Sequence, residues 1–324
     1  MHVNDYLTKE EVKQLLKKSD LKATLEFLHT WLWIAFAFAL SGFFPNPFTI
    51  LISLIILGGK QLACAILMHD CSHRSMFMSS RANDFWGNWL GGYPILHDTI
   101  RYRPYHLTHH VKTGTSEDPD LSLTKGYPAS IASFTRKLLR DLLGATGIKG
   151  HIGVFAMHFG ILKYELGGRV EKINQQGRSI VIVLLSSFKN LVGPVITNLI
   201  LFAILWLAGA PWLYLLWIGS LLTTYNFSLR IRSIAEHSVV PDQLDNMKNT
   251  RTTYANFFEK ILFAPHHVNY HAEHHMLMTV PSYNLPAMHR VIKERGYFRD
   301  GGVLEKNYLD IIRLAIKKDP QLIS

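Results

Sequence analysis

The chain has 324 residues and a formal net charge of +10, with hydrophobic residues at 48%, aromatics at 12% and charged residues at 18%. The charged share falls below the roughly 25% of soluble domains, while a mean hydropathy of +0.10 excludes a chain buried in lipid throughout. Two cysteines, Cys64 and Cys71, exclude a disulfide framework and an iron–sulfur cluster and fit a reducing compartment; basic charge without an arginine-rich tail or nucleic-acid motif points to lipid head groups and membrane topology, not to nucleic acid.

The N-terminus, MHVNDYLTKEEVKQLLKKSD, has no short apolar core of a cleavable signal. Residues 8–19 read as a short helix with a Thr8/Glu11 capping box and an apolar face of Val12, Leu15 and Leu16. Its lysines suit a membrane surface, and its apolar face equally suits packing on protein. Two apolar runs follow, 25–44 and 48–68, each about one bilayer thick and separated by Pro45–Asn46–Pro47. The second carries Lys60, costly at mid-bilayer and therefore expected near the cytosolic interface. Residues 86–96, with two Trp and a Tyr, suit the head-group level, and 127–179 is amphipathic and too broken to cross. A second pair of runs covers 190–209 and 211–229.

Of the 34 Lys and Arg residues, 5 precede residue 25, 14 lie in 69–179 and 13 lie from 230 onward, while the outer turns have none. Four spans in two hairpins place all three basic segments on one side, which the positive-inside rule makes the cytosol. The expected fold is an all-α integral membrane protein: four transmembrane helices in two hairpins, both termini cytosolic, and a cytosolic helical cap. The expected division is an N-terminal cytosolic or interfacial helix over 1–24, a main domain over 25–295 and a C-terminal cytosolic tail over 296–324.

Three histidine knots, HDCSH at 69–73, HLTHH at 106–110 and HAEHH at 271–275, fall on that one side. His69 and His73 are one helical turn apart on one face, and HxxHH offers an adjacent pair that can diverge to two metals. With His237 from RIRSIAEH, the candidate ligands are His69, His73, His106, His109, His110, His237, His271, His274 and His275. Nine imidazoles exceed a four-coordinate zinc and suit two metals of five or six coordination. Asp70, Asp98, Glu236 and Glu273, and Asp118 or Asp120, are candidates to accept the far N–H of a ligand histidine. His2, His29, His151, His158 and His289 read as surface, interfacial or packing residues, with His289 expected to tolerate change. His97, His266 and His267 stand between these classes. No GxSxG, GxxxxGK[ST], GxGxxG or HExxH occurs.

These three boxes, with RYRPYHLTHH followed by EDPDL and NYHAEHH followed by VPSYNLP, resemble the membrane fatty acid desaturase superfamily over roughly residues 45–295. The resemblance implies two non-haem irons, O2 as co-substrate and a cytosolic site that desaturates a fatty-acyl chain or acyl lipid, reached from an apolar tunnel to which residues 85–96 could contribute. The same ligand set serves hydroxylation of a lipid or hydrocarbon, so that reading stays open. With no flavin or haem motif and no cytochrome b5 HPGG, electrons are expected from a separate ferredoxin or cytochrome b5 type donor, attracted by the basic face. A metal-binding or transport protein would need polar ligands near mid-bilayer, whereas these knots lie outside the spans.

Overall fold

The computed structural model describes residues 3–316; His2 lies outside the described residues. Helix α1 (Lys9–Leu15) starts on the expected capping box, with Thr8 accepting from Glu11 N. Its Leu15 is buried with Tyr6, Leu7, Val280, Leu285 and Met288, so the apolar face packs on protein and not on lipid.

Among the described residues three helices are long and apolar enough to cross a membrane: α2 (Asp20–Phe43), α3 (Pro47–Ser72) and α9 (Ile180–Leu207). At about 1.5 Å per residue, the 24 residues of α2 reach about 36 Å. The α2–α3 turn is tight because Asn46 caps α3 with Pro47 in its first turn, where a missing N–H costs nothing. Their buried faces join Leu201, Leu205, Leu216 and Trp217 in one core.

The fourth apolar run departs from expectation. It is not one helix over 211–229 but two, α10 (Leu213–Leu222) and α11 (Thr224–His237), broken at Thr223 with φ −118° and ψ −88°. Beyond the break Thr224 Oγ1 donates to Leu54 O at 2.6 Å. Gly58 permits this approach, since a Cβ there would stand 2.3 Å from Thr224 Oγ1. An apolar sequence carries no mark of such a break, which is set by the facing helix.

Between the spans, α4 (Ser80–Trp86) leads into a wide π-helical turn at Gly87–Gly92 and then α5 (Thr99–Lys112). A short α6 (Leu121–Thr124), α7 (Ile131–Leu142) and α8 (Ala145–His158) follow. Exposed Leu139, Leu142, Ile148 and Ile152 give α7 and α8 an apolar outer side suited to a membrane surface. The C-terminal third adds β1 (Arg251–Thr253), α12 (Phe257–Leu262), α13 (His271–Met276), α14 (Leu285–Glu294), β2 (Val303–Glu305) and α15 (Tyr308–Ala315). The cap is therefore not purely helical: β1 and β2 pair in parallel, with Arg251 opposite Val303. Residues 303–316 are built into the fold, with Tyr308 and Ile311 buried against Ile231 and Ile234 of α11.

Candidate metal centre

Three helices and one helix end deliver the histidines. His69 lies in the last turn of α3, and His73 caps it. Helix α5 presents His106, His109 and His110, α13 carries His271, His274 and His275, and His237 ends α11. All nine converge, in two groups. One holds His69, His73, His106, His110 and His274; the other holds His109, His237, His271 and His275. Within each group the nitrogens lie within 4.8 Å of one another.

The groups adjoin. His110 Nε2 is 3.0 Å from His106 Nε2 and 3.1 Å from His274 Nε2, and its ring centroid is 4.3 Å from that of His275. Across the second group His271 Nε2 stands 2.8 Å from His237 Nε2.

The outward nitrogens decide what the inward ones offer. His69 Nδ1 donates to Asp70 Oδ1 at 2.7 Å, His109 Nδ1 to Asp118 Oδ1 at 2.8 Å, and His237 Nδ1 to Asn249 O at 3.0 Å. A carbonyl or carboxylate accepts only, so each of these rings carries a proton on Nδ1 and turns Nε2 inward as the nitrogen that would meet a metal. His106 Nδ1 meets Tyr102 OH at 3.1 Å. His271 Nδ1 faces Glu236 Oε1 at 3.5 Å, too long for a good hydrogen bond. The buried Nε2 atoms of His69, His73 and His275 have no hydrogen-bond partner among the described residues. Orphaned buried acceptors are costly unless something electropositive meets them. Two cations would, so the donor set fits two metals.

Electrostatics agree. Burial, then the neighbouring imidazoles, holds His106, His110, His271, His274 and His275 well below the ordinary histidine range. His73 and His237 are driven to about 3 for the same reasons. Neutral imidazole is the metal-binding form. Beside the second group lies a small cavity of about 20 Å³, room for about one water, bordered by His109, His237, His271, Asp120, Arg232 and Glu236. Burial pushes Asp120 and Glu236 up to about 7. Arg232 Nε donates to Glu236 Oε1 at 2.6 Å.

Not every expected carboxylate touches a clustered histidine. Asp98 instead caps α5, accepting from Ile100 N at 2.8 Å and Arg101 N at 2.9 Å. Its place just ahead of a helix is the signal for that role. Glu273 points away from the rings between which it sits in sequence; it accepts from Thr252 Oγ1 and stands 2.6 Å from His289 Nδ1. His289 is buried, so it is no neutral surface control. Of the two aspartates, Asp118 holds His109, while Asp120 is 3.7 Å from the same nitrogen and accepts from Tyr105. His97 is buried near His151 and His158, in neither group. His158 Nε2 lies 2.9 Å from Leu96 O. His266 and His267 lie beyond the two groups, lining a separate cavity with His29.

Several supporting residues carried no sequence signal: Tyr102, Asn249, and Arg251, whose buried guanidinium donates to Ser238 O at 3.1 Å and Val239 O at 2.9 Å and so fixes the chain just past His237. Arg232 had one, its i,i+4 spacing from Glu236.

The fatty acid desaturase family profile matches residues 45–305. The chain belongs to that family. Among curated relatives it is 28% identical to the sn-1 oleoyl-lipid 12-desaturase of Synechocystis sp. over 247 residues, 73% of this chain and 66% of that enzyme, so the match spans just under two thirds of the relative's length. It is 24% identical to the sn-1 oleoyl-lipid 12-desaturase of Anabaena variabilis, covering 89% of this chain and 80% of the other. It is also 24% identical to the dihydrorhizobitoxine desaturase of Bradyrhizobium elkanii, covering 76% and 68%.

Proposed function

We propose that this family member is an integral membrane di-iron oxidoreductase that introduces a double bond into a fatty-acyl chain or acyl lipid. The observation that carries the reading is the division of nine histidines into a group of five and a group of four. In this reading α2, α3, α9 and the α10–α11 pair cross the bilayer four times, and the histidine groups face the cytosol. The nine histidines would hold two irons, which supply, with O2, the oxidising power to remove hydrogen from an unactivated C–H. Removing two hydrogens while O2 becomes two waters requires two further electrons and two protons. The electrons come from a separate ferredoxin or cytochrome b5 type donor.

The chain's own residues have definable parts in this. Asp70, Asp118 and Asn249 O hold three rings in the tautomer that offers Nε2. Burial of the rings keeps bulk water from the reacting atoms. Asp120 and Glu236, able to hold a proton near neutrality, border the small cavity beside the second group.

The test is to produce the chain and its His274→Ala variant with a compatible donor and compare total lipids by mass spectrometry. The expected product, from wild type alone, is a lipid lacking two hydrogens. A product carrying one added oxygen would replace desaturation with hydroxylation, which the same ligands can serve. A variant as active as wild type would remove His274 from the ligand set.

A further inference from the structure

A second polar site lies outside the histidine groups. A cavity of about 310 Å³ opens between α2, α3 and the segment around α12, lined by Glu26, His29, Lys60, Lys260, His266 and His267. Its most unusual member is Lys60. The residue is only 2% exposed, and its ammonium makes no hydrogen bond or ion pair among the described residues. Its nearest attraction is the Trp33 ring, 5.4 Å from Nζ to the centroid. A buried ammonium without an anion is expensive, so an unpaired Lys60 facing a cavity implies an anion that enters it.

The remaining lining agrees. Glu26 is already engaged, its Oε2 2.5 Å from His266 Nδ1, while His266 Nε2 lies 2.8 Å from Thr30 Oγ1. His29 Nε2 accepts from Trp33 Nε1 at 3.1 Å, so its proton is on Nδ1. The ammoniums of Lys60 and Lys260 face a single carboxylate, Glu26, which His266 already engages, so the lining has positive charge to spare. That balance suits an entering anion: a phosphodiester or a carboxylate.

The surroundings say that the anion carries a lipid tail. Lys60 is 13 residues beyond Pro47 on α3, about 20 Å along the axis. In a hydrocarbon layer about 30 Å thick that depth lies well past the middle, toward the side of the histidine groups. Exposed apolar side chains flank the lining residues along the chain: Leu25, itself in the lining, with Leu28 and Leu32 on α2, and Phe257 and Phe258 at the start of α12 ahead of Lys260. Lys260 follows one turn later, the pattern of an interfacial helix with aromatic anchors and a basic head-group contact. Helix α12 is drawn tightly to α3, since a Cβ on Gly59 would stand 2.5 Å from Ile261 O. The chain then turns through two successive non-glycine residues in left-handed backbone, His266 (φ 52°) and His267 (φ 61°), which brings both imidazoles to the cavity.

We propose that this cavity binds the anionic head, phosphate or carboxylate, of a membrane lipid, at a site separate from the histidine groups. The proposal rests on the membrane placement above and not on the reaction. The bound head neutralises Lys60 and ties the α2–α3 hairpin to the segment leading into α13.

The experiment uses the full chain in phosphatidylcholine nanodiscs, with phosphatidylglycerol, oleate or inorganic phosphate added. Retained lipid is counted by native mass spectrometry, and thermal unfolding is followed in parallel. Wild type should retain phosphatidylglycerol or oleate at least tenfold over phosphatidylcholine and unfold at higher temperature with it. Phosphatidylglycerol retention identifies a phosphate head and oleate retention a carboxylate head. Lys60→Met should lose the preference, and Lys60→Arg should keep it. Without anionic lipid, Lys60→Met should unfold above wild type, because it removes an unpaired buried charge; this also certifies that the variant folds. Equal retention of anionic and zwitterionic lipid by wild type would overturn the proposal. So would an unchanged preference in Lys60→Met, or protection by inorganic phosphate alone equal to that by lipid, which would make this a site for free anions.

Discussion

The five-histidine group and the four-histidine group adjoin, yet they are supported differently. In the first, the rings lean mainly on one another: the His69 centroid is 4.3 Å from that of His106, 4.7 Å from that of His274 and 5.0 Å from that of His73. Its anchors outside the ring cluster are Asp70 and Tyr102. In the second, Asp118 and Asn249 O hold two rings, Thr113 Oγ1 lies 3.4 Å from His275 Nδ1, and a buried Arg232–Glu236 pair stands behind His271. The second group also borders the small cavity with its ionisable carboxyls. Rings pack closely in both groups, with His271 4.6 Å from His275 and 4.7 Å from His237, and the second group adds the buried ion pair behind His271. Proton exchange is therefore expected at the four-histidine side.

The largest effects should come from removing one ring of each group. His73→Ala and His237→Ala are each expected to abolish turnover and to lower iron from two to about one per chain, read by elemental analysis of purified protein. If either variant loses both irons, the groups bind as a unit and the division fails. Smaller effects should follow from the supports. Asp118→Asn can still accept a hydrogen bond but loses its charge, and should weaken metal binding by roughly 10- to 100-fold. Asp70→Asn should act comparably on the other group. Competition with a chelator measures both, and equal wild-type affinity in the two variants would show that ring packing alone sets the geometry.

The mildest test is acidity. Histidine titrates near 6.5 in an unfolded chain, whereas His73 and His237 sit at about 3 when folded. A base with a depressed folded value contributes nothing above 6.5 and destabilises the fold as pH falls from there toward 3. Asp120 and Glu236, raised to about 7, work the other way: their ionisation opposes folding above about 7, and that cost fades as pH falls toward their unfolded values near 4. Burial depresses His69 and raises Asp70 in the same way, so eight depressed imidazoles outweigh three raised carboxyls. Chelator-treated protein should unfold at lower temperature at pH 5.5 than at pH 7.5. A flat profile would mean that the rings are hydrated and not buried as described.

Much of the centre was legible because histidine spacing is a local property. The turn from His69 to His73 and the HxxHH pattern translate directly into one helix face. The family resemblance followed from those boxes, and the profile match agrees with it. What escaped the sequence depends on approach between distant segments. Asp98 and Asp118 are alike in composition; the backbone N–H groups beyond Asp98 make it a cap. His289 looks like any helix-surface residue until Glu273 is found at 2.6 Å. The Thr223 break arises from contact with Gly58 and Leu54, some 170 residues earlier. The pairing of 251–253 with 303–305 is too short for an alternation pattern to register.

The convergence of the nine rings also bears on how the protein is made. The five-histidine group needs His69 and His274, and its neighbour needs His275, which leaves the ribosome 206 residues after His69. At about 5–20 residues per second, the first rings wait on the order of ten to forty seconds for their last partners. Until then neither group has its full set of donors, and fragments ending before α13 have none of the third box. Metal loading therefore belongs after synthesis of α13, once insertion of the preceding helices is complete. On the di-iron reading proposed above, metal supply is a step of maturation, separable in time from the building of the apolar helical frame.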